Sequence, residues 1–407
     1  MNPIFIYLIY LLILCHPIYR FRWFRLKSLA PHSVLGLFLV CCGFSIFNVY
    51  ARINIFDSFE DVFAFQRDAM IMLIYLKADF NTYWELLVRL GGKEIPDHLK
   101  EPIVSMSYWG NMSNYCIIRL YAIFAYISSP SLYNISIFFS FISFVGKFLM
   151  LKAIDNYQFS KKQYLALIGI VFFLPNESFW TLSMHKETLI MFCLGMIVYG
   201  IYSSKWHRWL YLVSGLIILF VVRDFYFVSL VPGLLIYYLI NETKLSINQI
   251  ATICLSFIFF LVILPIKLGK TLLEVIIEKK TEFASLKNGN TQIETLHFLE
   301  NPVYAIFKTI NNGFFEPNFF HLRNPFDFIV CAEMFLLNLL MAFFAYYIIK
   351  NKEFKHLGFY LFALIIIVSS GYLVPNIGAI LRYKSAAYLI LAFFVFFDYF
   401  RLKQENK

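Results

Sequence analysis

Charge is scarce in this chain: Asp, Glu, Lys and Arg make up 15% of its 407 residues, where an ordinary soluble domain carries about 25%. That shortage excludes a soluble globular protein, because 60% of the residues are hydrophobic and 20% aromatic, with 48 Phe and 27 Tyr. Known catalytic signatures are missing too. The sequence has no HExxH, no GxSxG, no GxGxxG after a strand and no EF-hand loop. "LPIKLGKT" at Leu264 to Thr271 ends like a P-loop, but Leu264 stands where the first glycine belongs. Cysteines are few and never paired as CxxC. Cys15, Cys41, Cys42, Cys193, Cys254 and Cys331 lie inside apolar runs and Cys116 in a short apolar segment, which reads as packing rather than metal binding.

What is present is a succession of apolar runs from end to end, so residues 1 to 407 read as a single integral membrane unit. The expected class is all-α, with about eleven transmembrane helices at 3 to 19, 30 to 50, 131 to 152, 163 to 179, 186 to 203, 209 to 222, 226 to 240, 250 to 267, 328 to 349, 357 to 374 and 384 to 400. The opening "MNPIFIYLIYLLILCHPIYRFRWFRLK" has its charges after the apolar run and no small-residue cleavage site, so it is expected to stay as a membrane helix. Residues 114 to 128 span only about 22 Å as a helix and contain Arg119, so they read as interfacial or re-entrant. With that choice, alternate connections collect the basic clusters: Arg20 to Lys27, Lys152 to Lys162, Lys205 and Arg208, Lys244, Lys350 to Lys355, and Arg401 to Lys407. By the positive-inside rule that side is cytoplasmic, and the C-terminus lies on it. The net charge of +10 is thus a topology signal and gives no reason to expect a nucleic-acid partner. Two long extracytoplasmic loops follow, residues 51 to 130 and 268 to 327, the first with interfacial helices.

Three short turns fall on the same outer side. They read "NESFWTLSMHKE" (Asn176 to Glu187), "RDF" (Arg223 to Phe225) and "VPNIGAILRYK" (Val374 to Lys384). His185, Lys186, Arg223, Arg382 and Lys384 therefore sit where the positive-inside rule keeps basic residues rare, and they become candidate anion-binding groups. Plainer readings compete: Arg382 and Lys384 snorkelling to lipid phosphates, a local Arg223-Asp224 ion pair, and His185 with Lys186 flanking a helix start.

Acids gather just after the second expected span, in "FDSFEDVFAFQRDAMIMLIYL". In a helix, Asp57, Asp61 and Asp68 stand at i, i+4 and i+11, within about 40° of one another, and Phe59, Val62, Ala69, Met70 and Leu73 fall opposite. The expected picture is a helix lying on the membrane with a carboxylate row turned to an aqueous cleft. Asp57, Glu60, Asp61 and Asp68 are the candidate general bases, or ligands for a divalent cation. The plainer reading is a solvated polar face.

The order of these features resembles the GT-C superfamily of polyprenyl-phosphate-sugar glycosyltransferases: acids after the second span, "NYCIIRLYAIFAYISSPSLYNISIFFSFISF" returning into a helix, a "HKE" turn and a hairpin broken at Arg223-Asp224. "SFWTLSMHKETLI" and "PNIGAILRYK" are also similar to the multispanning polymerases of bacterial surface polysaccharides. The resemblance covers most of the chain as a pattern. It implies a GT-C-like fold, an essential acid in the first large outer loop and later basic residues that hold a lipid phosphate, corresponding here to Lys186, Arg223 and Arg382. The family's acid pair reads Asp-Glu. Here the adjacent pair is Glu60-Asp61, after a second rather than a first span, so all four acids stay in play.

The expectation is a glycosyltransferase or glycan polymerase of the bacterial inner membrane. It would use a polyprenyl-(pyro)phosphate-linked sugar or oligosaccharide at the outer face, with membrane lipid as its surroundings and with or without a divalent cation. A transporter or flippase of lipid-linked glycans and a non-enzymatic membrane scaffold are the alternatives.

Overall fold

The computed structural model describes residues 3–55, 61–89, 95–203, 205–243, 300–320 and 325–405, with isolated positions between 245 and 296 and residue 322. Every regular element among the described residues is a helix. Among the described residues six helices are long and apolar enough to cross a membrane, or seven if one bent pair counts as a single span, which makes the chain a multi-pass membrane protein. The expected spans at 186 to 203, 209 to 222 and 357 to 374 form apolar helices too short for that test, and the one at 250 to 267 falls largely outside the described residues.

Contacts divide the chain into two compact units. The first holds Met1–Ser160, Val171–Phe173 and Ser178–Phe225. Its centre is α7 (Leu132–Ile154), against which α1 (Pro3–Arg20), α2 (Pro31–Asn54), α6 (Met112–Ile127) and α10 (Lys186–Tyr202) pack. Pro31 opens α2, where a missing N–H costs nothing and the fixed φ suits the first turn. The α7–α10 crossing is set by glycine. Gly146 and Gly195 lie back to back, so close that a Cβ on Gly146 would stand 2.6 Å from the Met191 carbonyl oxygen. Around this centre, α3 (Asp61–Ala78) packs on α6 and on α4 (Phe80–Val88), followed by the one-and-a-half-turn α5 (Lys100–Ser105), while α11 (Lys205–Val222) packs on α10 and α6. Short polar side chains start two of these helices: Asp79 accepts from the Asn81 amide at α4, and Asn111 from the Asn114 amide at α6.

The second unit holds Lys161–Ile170, Leu174–Glu177 and Tyr226–Lys407. The bent pair α8 (Lys161–Phe173) and α9 (Pro175–Thr181) thus contributes residues to both units, with a 50° bend just before Pro175, whose ring and missing N–H bar a continuous helix. Beyond α12 (Asp224–Glu242) the described helices are α13 (Pro302–Phe315), α14 (Pro325–Lys350), α15 (Leu357–Leu373) and α16 (Ile377–Glu405). The last is the core of the unit: apolar on nearly every side, it is buried among α13, α14 and α15. Near its C-terminal end His356 Nδ1 meets Asp398 Oδ1 at 2.7 Å, both side chains fully buried, and Asp398 also receives the Tyr360 hydroxyl. This network ties the turn before α15 to α16.

Candidate functional site

In the first unit the acids of α3 do not face water as the sequence suggests. Asp61, Phe65, Asp68 and Met72 form one stripe of α3; Phe65, Asp68 and Met72 are buried and Asp61 is half-buried. The reason is a turn between α5 and α6 that presents backbone donors to the helix. Asp68 Oδ2 accepts from the amides of Ser107 at 2.9 Å and Tyr108 at 3.1 Å, and Asp61 Oδ1 accepts from the Tyr108 hydroxyl at 2.7 Å. Arg67 lies 3.8 Å from Asp68 and donates to the Ser107 hydroxyl. Burial pushes the Asp68 carboxyl above the usual carboxylate range, and the two amides and Arg67 offset this only in part. Asp68 therefore acts as a structural cap of the turn. Asp61, less buried than Asp68 and accepting from the Tyr108 phenol, is the α3 acid better placed to accept a proton. Asp57 and Glu60 lie outside the described residues.

The "HKE" turn reaches the same region. His185 is the N-cap residue of α10, and its ring lies 6.2 Å from Phe65 and 6.1 Å from Trp180. Lys186 Nζ donates to the Ser113 hydroxyl at 2.7 Å, in the first turn of α6. Glu187, 2% exposed, receives Arg223 Nη2 at 3.2 Å. Arg223 thus pairs over long range rather than with Asp224, as the plainer reading had it, and Asp224 accepts from the neighbouring Phe225 amide at 2.8 Å. Arg223 sits at the break between α11 and α12, where a charge in an apolar run interrupts the helix. Tyr121 of α6 donates to the Met184 carbonyl at 3.0 Å and feels the charges of both Arg52 and Asp61.

Arg52 is a cation that sequence reasoning passed over. It is 2% exposed, donates through Nε to Asn48 Oδ1 at 2.8 Å, and places its guanidinium 5.5 Å from the Phe179 ring and 5.4 Å from Trp180. Asn48 in turn donates to the Phe179 carbonyl at 2.8 Å. Its signal was available, since "YARINIF" puts an arginine at the last turn of an apolar helix. Lys147 was missed as well. It lies deep in α7, fully buried, with Nζ 3.2 Å from the Ser178 hydroxyl and above the Phe172 ring. A lysine inside the run "FVGKFLM" was the signal for it.

Arg382 and Lys384 belong to the second unit. The Arg382 guanidinium lies 5.1 Å from the Tyr383 ring, and its Nη2 reaches the Tyr383 hydroxyl at 3.3 Å. Lys384 is not at a helix end reaching for lipid but fully buried on α16, donating to the carbonyls of Gly313 at 2.7 Å and Glu316 at 3.0 Å. The end of α13 supplies these acceptors because its last carbonyls have no partner within the helix. Buried near Lys384 are the side chains of Glu177 and Glu316. Neither these nor Glu333 of α14 stood out as site residues in the sequence.

Among the described residues no group of three or more His, Cys, Asp or Glu side chains is placed to hold a metal ion. The first unit offers a carboxylate with a phenol beside it, Asp61 with Tyr108, and three basic groups: Lys186 on Ser113 of α6, Arg223 on Glu187 of α10, and Arg52 beside the Phe179 and Trp180 rings. No protein-family model matches the chain, and neither does any curated protein or solved structure.

Proposed function

We propose that this protein is a glycosyltransferase or glycan polymerase of the bacterial inner membrane, acting on a polyprenyl-(pyro)phosphate-linked sugar at the extracytoplasmic face. The proposal includes the eleven-span topology, a cytoplasmic C-terminus and the two long loops, residues 51 to 130 and 268 to 327, on the outer side. The observation that carries it is that Asp61 and Lys186 bond to one short segment, through Tyr108 and Ser113, and that Glu187, next to Lys186, holds Arg223. Direct displacement at an anomeric carbon needs such a set. The acceptor hydroxyl forms the new glycosidic C–O bond, its proton passes to Asp61, and the bond to the phosphate oxygen breaks with its electron pair leaving on the phosphate. Lys186 offers that phosphate a point charge and Arg223 a planar fork of donors. A lipid-anchored leaving group belongs at a membrane interface, where helix-end cations meet it without being drawn into the apolar interior.

One observation favours a second reading, a transporter or flippase of lipid-linked glycans: Lys384, Glu177 and Glu316 are ionisable side chains buried inside an apolar helical unit. The two readings separate in sealed vesicles containing the full chain and given outward-facing lipid-linked glycan. New glycosidic bonds support the transferase, and movement of the glycan across the bilayer without bond formation supports the transporter. In cells, Asp61→Asn or Lys186→Ala is expected to abolish surface polymer and accumulate short lipid-linked glycan at normal protein levels. Unchanged polymer in both variants rejects the reading.

A further inference from the structure

The second unit contains a pair of carboxyl groups that the transfer reaction does not use. Glu177, at the start of α9, is fully buried; Glu333, eight residues into α14, is half-buried, with its Oε1 sealed from the surface. One residue holds both carboxyl groups. Asn176 spans both, its backbone amide donating to Glu333 Oε2 at 2.8 Å and its Nδ2 to Glu177 Oε1 at 3.2 Å. Two carboxyl groups gathered by one asparagine in an apolar unit repel each other when both are ionised, and a proton on one of them relieves that.

A second observation points the same way. Glu333 Oε1 and Asn176 Oδ1 are both buried acceptor atoms that no protein donor reaches. Leaving two such acceptors in an apolar helical unit is costly unless something positive lies between or beside them. Around the pair stand the other ionisable groups of the elements packed there: Lys384 of α16, whose charge acts on Glu177 and Glu316; Glu316 itself, after α13; and Tyr388 of α16, which is turned to Asn338. Three carboxylates around one ammonium would leave an excess negative charge inside the membrane, and one bound proton reduces it.

We propose that Glu177 and Glu333 form a proton-binding site within the membrane, in which Glu333 holds the proton and donates it to Glu177, whose charge is balanced by Lys384. Loading and unloading the site exchanges one proton with water and changes no covalent bond between heavy atoms. The inference is independent of the glycosyl-transfer reading. Glu333 lies on a membrane-spanning helix and is not fully buried, so a lipid-soluble reagent can approach it, and this gives a test on the unaltered chain.

Dicyclohexylcarbodiimide adds to protonated carboxyl groups in apolar surroundings and leaves a stable acylurea. Full-length protein in lipid vesicles is treated with it at a series of pH values, and the modified residue is located by mass spectrometry of peptides. The expected result is modification at Glu333 that falls as pH rises and is the same in sodium and in choline chloride. Absence of modification at Glu333 at every pH overturns the proposal. Protection by sodium but not by choline also overturns it, since an alkali ion would then be the ligand. Infrared spectra of the wild type and Glu333→Gln provide the second measurement: the variant should fold, because its amide N–H replaces the carboxyl donor, and should lose a protonated-carboxyl C=O band. A folded variant whose spectrum keeps that band counts against the site.

Discussion

Arg223 Nη2 stands 3.2 Å from Glu187 Oε1, joining the break after α11 to the first turn of α10 across 36 residues of chain. Glu187 is 2% exposed and the Arg223 side chain 16%, so water screens the pair poorly. Removing one partner of such a pair costs about 3 kcal/mol, most of it from stranding the other charge. Arg223→Ala is expected to destabilise more than Glu187→Ala, because it strands the more buried group. The double variant should cost less than the sum of the two. Thermal unfolding of the detergent-solubilised proteins measures all three, and strict additivity would show that the contact carries no coupling.

The Gly146–Gly195 crossing gives an opposite sign to that of helix propensity. Alanine in place of a helical glycine ordinarily gains about 1 kcal/mol. Here a Cβ on Gly146 would lie 2.6 Å from both the Met191 oxygen and the Phe192 Cα, backbone atoms that cannot step aside. Gly146→Ala and Gly195→Ala should therefore force α7 and α10 apart and cost about 1 to 3 kcal/mol, as overpacking does. Gly169, with nothing near a built Cβ, is the control expected to gain stability on the same change. Lower folded yield and lower melting temperature of the crossing variants alone would bear this out.

Asp68 makes a pH prediction. Its carboxyl titrates above its ordinary value of 3.8 in the folded chain, chiefly because burial disfavours the charge. Folded protein therefore binds a proton where unfolded protein has lost it, and this group's contribution to stability falls as pH rises from about 4. Asp68→Asn should flatten that slope and still fold, since both amides, of Ser107 and Tyr108, bond to a single oxygen that asparagine can supply. Asp68→Ala leaves both amides without it and should cost about 2 kcal/mol or more. Asp79, held low by the Thr82 hydroxyl and the Asn81 amide, has the opposite sign: its contribution is present above the ordinary carboxylate range and lost on acidification. Melting curves of the single variants between about pH 2 and pH 7 separate the two, Asp79 acting below about pH 4 and Asp68 above it.

Local chemistry and long-range chemistry were unequally legible in the sequence. The break at Arg223 could be read because a charge and its neighbour Asp224 interrupt an apolar run, and the cost of burying them acts on the residues themselves. The partner of Arg223 could not, since nothing in "RDF" points 36 residues back. Spacing put Asp61 and Asp68 on one face of a helix, but Phe65 and Met72 share that stripe. Which face turns inward depends on α6 and the Ser107-Tyr108 turn, a tertiary fact. Lys384 was read as a helix-end cation because α16 was expected to begin at its position, whereas it begins at Ile377 and carries the lysine two turns inward. Lys147 and Glu333 were visible as single charges inside expected spans; the positive-inside count, which weighs loops, passes over such residues.

The proposed base can be tested without disturbing the fold. Tyr108 bonds to α3 twice, through its backbone amide to Asp68 and through its hydroxyl to Asp61 at 2.7 Å. Tyr108→Phe removes only the second. A hydrogen bond to a carboxylate is worth about 1.5 kcal/mol, which corresponds to about tenfold in rate if it is used to aim Asp61 at the acceptor hydroxyl. As a positioning residue, Tyr108 should affect kcat and leave KM for the lipid-linked donor nearly unchanged, while Asp61→Asn should remove activity by about a hundredfold or more. Combined with Asp61→Asn, Tyr108→Phe should have no further effect, because the group it aims is already gone. Glycan transfer by purified full-length protein in vesicles provides the rates. If Tyr108→Phe slowed the Asp61→Asn protein as much as it slows the wild type, the phenol would be acting elsewhere, and Asp61 would lose its claim as the base.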